Sequence, residues 1–168
     1  PPPPSAPRCP PKHGAVPFMA ECKDGDTGQQ FTMGSDGLLT PVASKALAVG
    51  GGATGHALQL TEKGDALRFT VDKASGNLRF AGGCAQSGAC GHGNFTCLDS
   101  HCGNGRAGDC KGGAELFACC PPQACQCNQM WAVAPVAGAH GVFTIRNGGA
   151  AAGKPDCHRT QGCLAVCA

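Results

Sequence analysis

Cys97-Leu98-Asp99-Ser100, then Ala114-Glu115-Leu116-Phe117-Ala118-Cys119, then Gln129-Met130-Trp131, then Gly141-Val142-Phe143-Thr144-Ile145: these four segments, in this order, organise the chain. Each is short, apolar at alternate positions and bounded by glycine or polar residues, which reads as strand and not as helix. The same order occurs upstream. A first unit holds Pro17-Phe18-Met19-Ala20-Glu21-Cys22, Gln29-Gln30-Phe31 and Gly37-Leu38-Leu39. A second holds Ala46-Leu47-Ala48-Val49, Leu58-Gln59-Leu60-Thr61-Glu62-Lys63, Leu67-Arg68-Phe69 and Gly76-Asn77-Leu78-Arg79-Phe80. A closing Cys163-Leu164-Ala165-Val166 begins the cycle again. Such units cannot bury a face alone, but three together can close a barrel with a hairpin cap and leave no exposed sheet edge. The units run over about 9–45, 46–96 and 97–162, with a closing strand at 163–168. They lengthen along the chain through Gly-, Cys- and Pro-rich stretches that read as surface insertions.

Composition agrees with an all-β chain. With 168 residues there is room for one domain with a sizeable core. Glycine (27) and proline (13) are abundant and aromatics make up only 5%, which favours many turns over long helices. Fourteen cysteines, an even number, point to an oxidising compartment in which disulfides each add roughly 2–4 kcal/mol. Metal binding is the competing reading, prompted by Cys125-Gln126-Cys127, Cys119-Cys120 and Cys157-His158. Their irregular spacing lacks the repeated pairs of structural zinc sites, so no metal or other cofactor is expected. Asn94-Phe95-Thr96 offers an N-glycosylation acceptor at Asn94, which again suits a secreted chain.

A net charge of +2 with 14% charged residues gives no electrostatic case for nucleic acid. No apolar run approaches the roughly 18 residues of a membrane span, so no membrane insertion is expected. No leader-like segment opens the chain, which reads as a mature chain or an excised piece. Pro1 to Pro4 and Ser5-Ala6-Pro7 favour polyproline II, so residues 1–8 read as a linker or stalk ahead of a domain over 9–168. That tract is the expected route to tethering or self-assembly.

The order C-L-D-x, then a strand ending in Cys, then Q-x-W, then Gly followed by an apolar strand, resembles the ricin-B type β-trefoil lectins. The resemblance covers nearly the whole chain after the proline tract and is closest in the third unit. It implies a β-trefoil of three pseudo-repeats with Cys/Gly-rich loop insertions. It also implies disulfides from the Cys of each first strand to the Cys closing the second: Cys97 with Cys119 (or its neighbour Cys120), and Cys9 with Cys22. In the second unit the matching positions are Ala46 and Lys63, so both cysteines are lost together.

The resemblance implies a galactose- or GalNAc-class sugar site as well. A sugar's apolar face needs an aromatic platform, and its adjacent hydroxyls suit a carboxylate, whose charge-assisted bonds are about twice as strong as neutral ones. An amide donates and accepts, and so reads hydroxyls in either role. Matched by position, these parts are Asp99, Phe117, Asn128 and Gln129, with Glu115 where a polar helper sits. The second unit has Ala48 for Asp, Thr61 for the aromatic and Leu67 for Gln. The first keeps Gln29, but Ala20 and Gly28 replace the aromatic and the Asn, and no Asp follows Cys9. One competent site and two relics are expected. Trp131 is expected in the core.

No His-Glu-x-x-His, Gly-x-Ser-x-Gly or phosphate loop occurs, so the chain is not expected to be an enzyme, although it could serve as the binding module of a larger glycoside hydrolase. The alternative function is a building block of an extracellular glycoprotein assembly or fibre, with a vestigial sugar site. The expected partners are galactose-type glycans or glycoproteins outside the cell.

Overall fold

Alternation of apolar and polar positions in segments of three to six residues leaves room only for short strands, and twelve form among the described residues. The computed structural model describes residues 11–51, 58–72, 77–80, 97–99, 114–117, 131–147 and 162–166, with 72, 77, 79–80 and 115–117 as backbone. In chain order the strands are β1 (Phe18–Ala20), β2 (Gln30–Met33), β3 (Leu39–Pro41), β4 (Leu47–Gly51), β5 (Leu58–Glu62) and β6 (Phe69–Asp72). They continue with β7 (Asn77–Phe80), β8 (Cys97–Asp99), β9 (Glu115–Phe117), β10 (Trp131–Pro135), β11 (Val142–Asn147) and β12 (Gly162–Ala165). Single 3-10 turns, Thr27–Gln29 and Lys63–Asp65, are the only helical elements among the described residues. The chain is all-β, and none of these helical turns is long and apolar enough to cross a membrane.

The strand pairing repeats at an interval of four strands. Hairpins join β2–β3, β6–β7 and β10–β11. Antiparallel ladders join β4–β5, β8–β9 and β12–β1, so the last strand returns to the first. β7 pairs β8 at Arg79↔Cys97 and β11 pairs β12 at Arg146↔Cys163, while β3 packs beside β4. The hairpins also meet one another: β11 pairs β2, and Leu38 bridges Arg68 just ahead of β3 and β6.

The registers give a residue-level equivalence. Phe31, Phe69 and Trp131 open the three hairpins opposite Pro41, Phe80 and Asn147. Two residues on, Met33, Val71 and Val133 face Leu39, Leu78 and Ile145. Phe31, Phe69 and Trp131 are buried, as are Leu39, Leu78 and Ile145, and all join one core cluster with Val49, Leu98 and Leu164. Each such side chain contributes about 1.5–3 kcal/mol by leaving water. Trp131 thus lies in the core as expected.

Close approach of the hairpins sets one glycine requirement. Gly37 has φ +77°, and a Cβ there would sit 2.9 Å from the Phe69 carbonyl. Its own carbonyl accepts from the Phe69 amide at 2.8 Å. No side chain fits between these backbones.

The disulfide of the first unit differs from the expected Cys9–Cys22. Cys22 is joined to Cys163, with Cα atoms 5.0 Å apart, and Cys9 lies outside the described residues. The reason is the return of the last strand to the first. β12 lies against β1 with Cys163 opposite Ala20, so the C-terminal strand occupies the first-strand position of the first unit. Cys22 follows Ala20 by two residues, which brings it to Cys163.

Candidate functional site

Three of the candidate residues, Asp99, Glu115 and Phe117, lie on the β8–β9 ladder. In β8–β9, Cys97 lies opposite Phe117, Leu98 opposite Leu116 and Asp99 opposite Glu115. Leu98 is fully buried in the core, which leaves Cys97, Asp99 and their register partners at the other phase of the ladder. Three of the five residues expected at the sugar site, Asp99, Glu115 and Phe117, are therefore brought onto adjacent strands. Asn128 and Gln129 lie outside the described residues, as do Cys119 and Asn94. Cys97 is disulfide-bonded.

Trp131 ties this ladder to the next hairpin. Its indole Nε1–H donates to the Leu98 carbonyl at 2.7 Å, a buried bond between residues 33 positions apart. Leu98 immediately precedes Asp99, so the tryptophan is anchored to the backbone one residue before Asp99.

Asp99 is only 3% exposed and is engaged in an interaction within the chain. Burying a carboxylate is costly unless it is bonded, so the other units show whether the fold needs one. It does not. The β12–β1 register sets Cys163 opposite Ala20 and Ala165 opposite Phe18, so Ala165 is the first-unit counterpart of Asp99. In β4–β5, Val49 lies opposite Leu60 and Gly50 opposite Gln59, so Gly50 is the second-unit counterpart. This corrects the sequence alignment by two residues. Ala48, expected in place of the Asp, instead lies opposite Thr61 and matches Cys97.

The second unit has no room for a side chain at that place. A Cβ on Gly50 would lie 2.5 Å from Thr61 Oγ1, 2.8 Å from Thr61 Cγ2 and 3.3 Å from the Asp65 carbonyl. The chain's own Thr61 and the adjoining 3-10 turn fill it.

In the first unit the Gln at the Q-x-W position bonds backbone. Gln29 is 2% exposed; its Nε2 donates to the Glu21 carbonyl at 2.8 Å and its Oε1 accepts from the Lys23 amide at 2.9 Å. Asp26 caps the preceding turn by accepting from the Gly28 amide at 2.9 Å. This Gln is a backbone clamp holding the segment after β1.

One feature of the third unit escapes motif matching. Asn147, opposite Trp131, is 1% exposed and engaged within the chain, whereas its counterparts are Pro41 and Phe80. Asp99, the Trp131 N–H and Asn147 are thus three polar groups at positions that are apolar or bare in the other units. The signal was visible in the sequence only once the register had defined the counterparts. Comparison of the chain with protein-family models, with curated proteins and with solved structures finds no match.

Proposed function

We propose that the chain is a secreted β-trefoil of the ricin-B type whose third unit binds galactose- or GalNAc-class sugars. The four-strand interval of the pairing supports the trefoil: three hairpins, three strand pairs between them, and a last strand that returns to the first. The observation that carries the sugar reading is Asp99, a buried carboxylate where the equivalent positions hold Gly50 and Ala165. A group that the fold does without elsewhere, at a cost in burial, is a candidate for function.

In this reading Asp99 accepts from two adjacent sugar hydroxyls, Phe117 stacks on the apolar sugar face, and Asn128 and Gln129 read the remaining hydroxyls. Glu115, opposite Asp99, assists. Gln129 precedes by two residues Trp131, whose indole bonds the Leu98 carbonyl. Phenylalanine stacks over less area than tryptophan, and one shallow site corresponds to millimolar binding, about −4 kcal/mol. Useful avidity then requires several copies or a tether, a role suited to the proline-rich residues 1–8. The disulfides and the acceptor at Asn94 favour an extracellular setting. The chain acts as a binding module and not as an enzyme, alone or attached to a larger glycoside hydrolase.

Titration of the soluble chain with galactose, N-acetylgalactosamine and lactose, followed by two-dimensional NMR, tests this. Saturable shifts around Asp99, Phe117, Asn128 and Gln129 are expected. Absence of shifts up to high millimolar sugar would sink it.

The second reading is a structural unit of an extracellular assembly with a vestigial site. Its support is the same carboxylate seen differently: at 3% exposure, and with a partner inside the chain, Asp99 serves equally as an internal tie. Assembly at high copy number, lost on removing residues 1–8, together with no sugar binding, would favour it.

A further inference from the structure

We propose that Trp131 is a positioning residue for the third-unit site: its indole N–H, by holding the Leu98 carbonyl, sets the place of Asp99. The inference rests on the reading of Asp99 as a sugar-binding carboxylate. Its basis is a comparison within the chain. Phe31 and Phe69 hold the equivalent position and are as deeply buried, 0% and 1% exposed against 4% for Trp131. The core therefore requires an aromatic ring at this place and has no need of a donor.

The donor is present only where the carboxylate is present. It bonds the Leu98 carbonyl at 2.7 Å, one peptide unit before Asp99. Leu98 and Asp99 lie on β8 between β9 and β7, and the indole bond adds a buried tie from a third strand, β10. A binding carboxylate must stay within about 0.5 Å of its productive place, and a buried bond from a packed indole supplies that constraint. The ring itself is fixed in the core and faces the buried Asn147 across the β10–β11 ladder.

The test removes the N–H and keeps the ring. Trp131→Phe introduces the side chain that the other two units already bury. Replacement of Trp131 by benzothienylalanine keeps the outline of the indole and lacks only the donor. Wild type and both variants are titrated with galactose, with the Asp99 carboxyl ¹³C resonance and thermal unfolding recorded alongside. The expected result is a folded protein with a modestly lower unfolding temperature, because the buried Leu98 carbonyl loses its donor, together with a displaced Asp99 resonance and an affinity lower by about tenfold. Variants that bind galactose as tightly as wild type overturn the inference and leave the lectin reading standing. A loss of affinity with an unmoved Asp99 resonance also overturns it, because Asp99 then keeps its place without the bond. Wild type that fails to bind galactose overturns the lectin reading, and the inference falls with it.

Discussion

Position 99 shows how a single side chain can be judged inside a repeating fold. Its counterparts Gly50 and Ala165 do without a carboxylate, and Ala165 shows that a methyl group is accommodated there. Asp99→Ala is therefore expected to cost no more than about 1–3 kcal/mol, the loss of one buried interaction, while abolishing sugar binding. Thermal unfolding and a galactose titration of the same sample check both halves. A large drop in unfolding temperature would make Asp99 a structural tie. The residue was legible as a candidate only through the ordered pattern of four segments that resembles the ricin-B type lectins. Its degree of burial was not, because burial depends on neighbours far away in the chain.

Between residue and domain, the turn after β1 shows what Gln29 does in the first unit. Gln29 bonds one backbone carbonyl and one amide on the far side of the turn, and thereby ties the start of β2 to the segment after β1. Gln29→Leu keeps the volume and removes both bonds, so a loss of about 1–3 kcal/mol is expected, measured as a lower midpoint in urea. An unchanged midpoint would mean that water replaces the clamp without cost. Strand positions were readable at this scale because alternation is local, and Phe31, Phe69 and Trp131 came out as equivalent from segment order. The cross-strand neighbours of those rings were not readable, since a strand's own pattern does not name its partner.

For the molecule as a whole, closure of the last strand onto the first is the decisive event. The Cys22–Cys163 bond spans 141 residues of sequence. In the chain-entropy account such a bond stabilises the fold by about 5 kcal/mol. The double variant Cys22→Ser with Cys163→Ser should lose up to that amount in urea unfolding, with the amides of β1 and β12 the first to lose hydrogen-exchange protection. The ring of equivalences extends to a second bond. Cys163 matches Cys97, and Cys22 follows Ala20 by two residues as Cys119 follows Phe117. Cys97, which is disulfide-bonded, is therefore expected to pair with Cys119. Peptide mapping of the unreduced protein by mass spectrometry decides it, and a Cys97–Cys120 linkage would break the equivalence.

The sequence by itself determined the all-β class, the order of strands within each unit, the core position of Trp131 and the use of cysteine in disulfides. All of these follow from local alternation, turn residues and composition. Only the tertiary structure decided that Cys22 belongs to Cys163 and that Gly50, two places beyond Ala48, is the counterpart of Asp99. The physical reason is the same in both cases. A strand displaced by one residue turns its apolar side chains to water, and the pattern forbids it. A displacement of two leaves every side chain on its own face, so alternation cannot detect it, and only contact with a partner strand fixes the register.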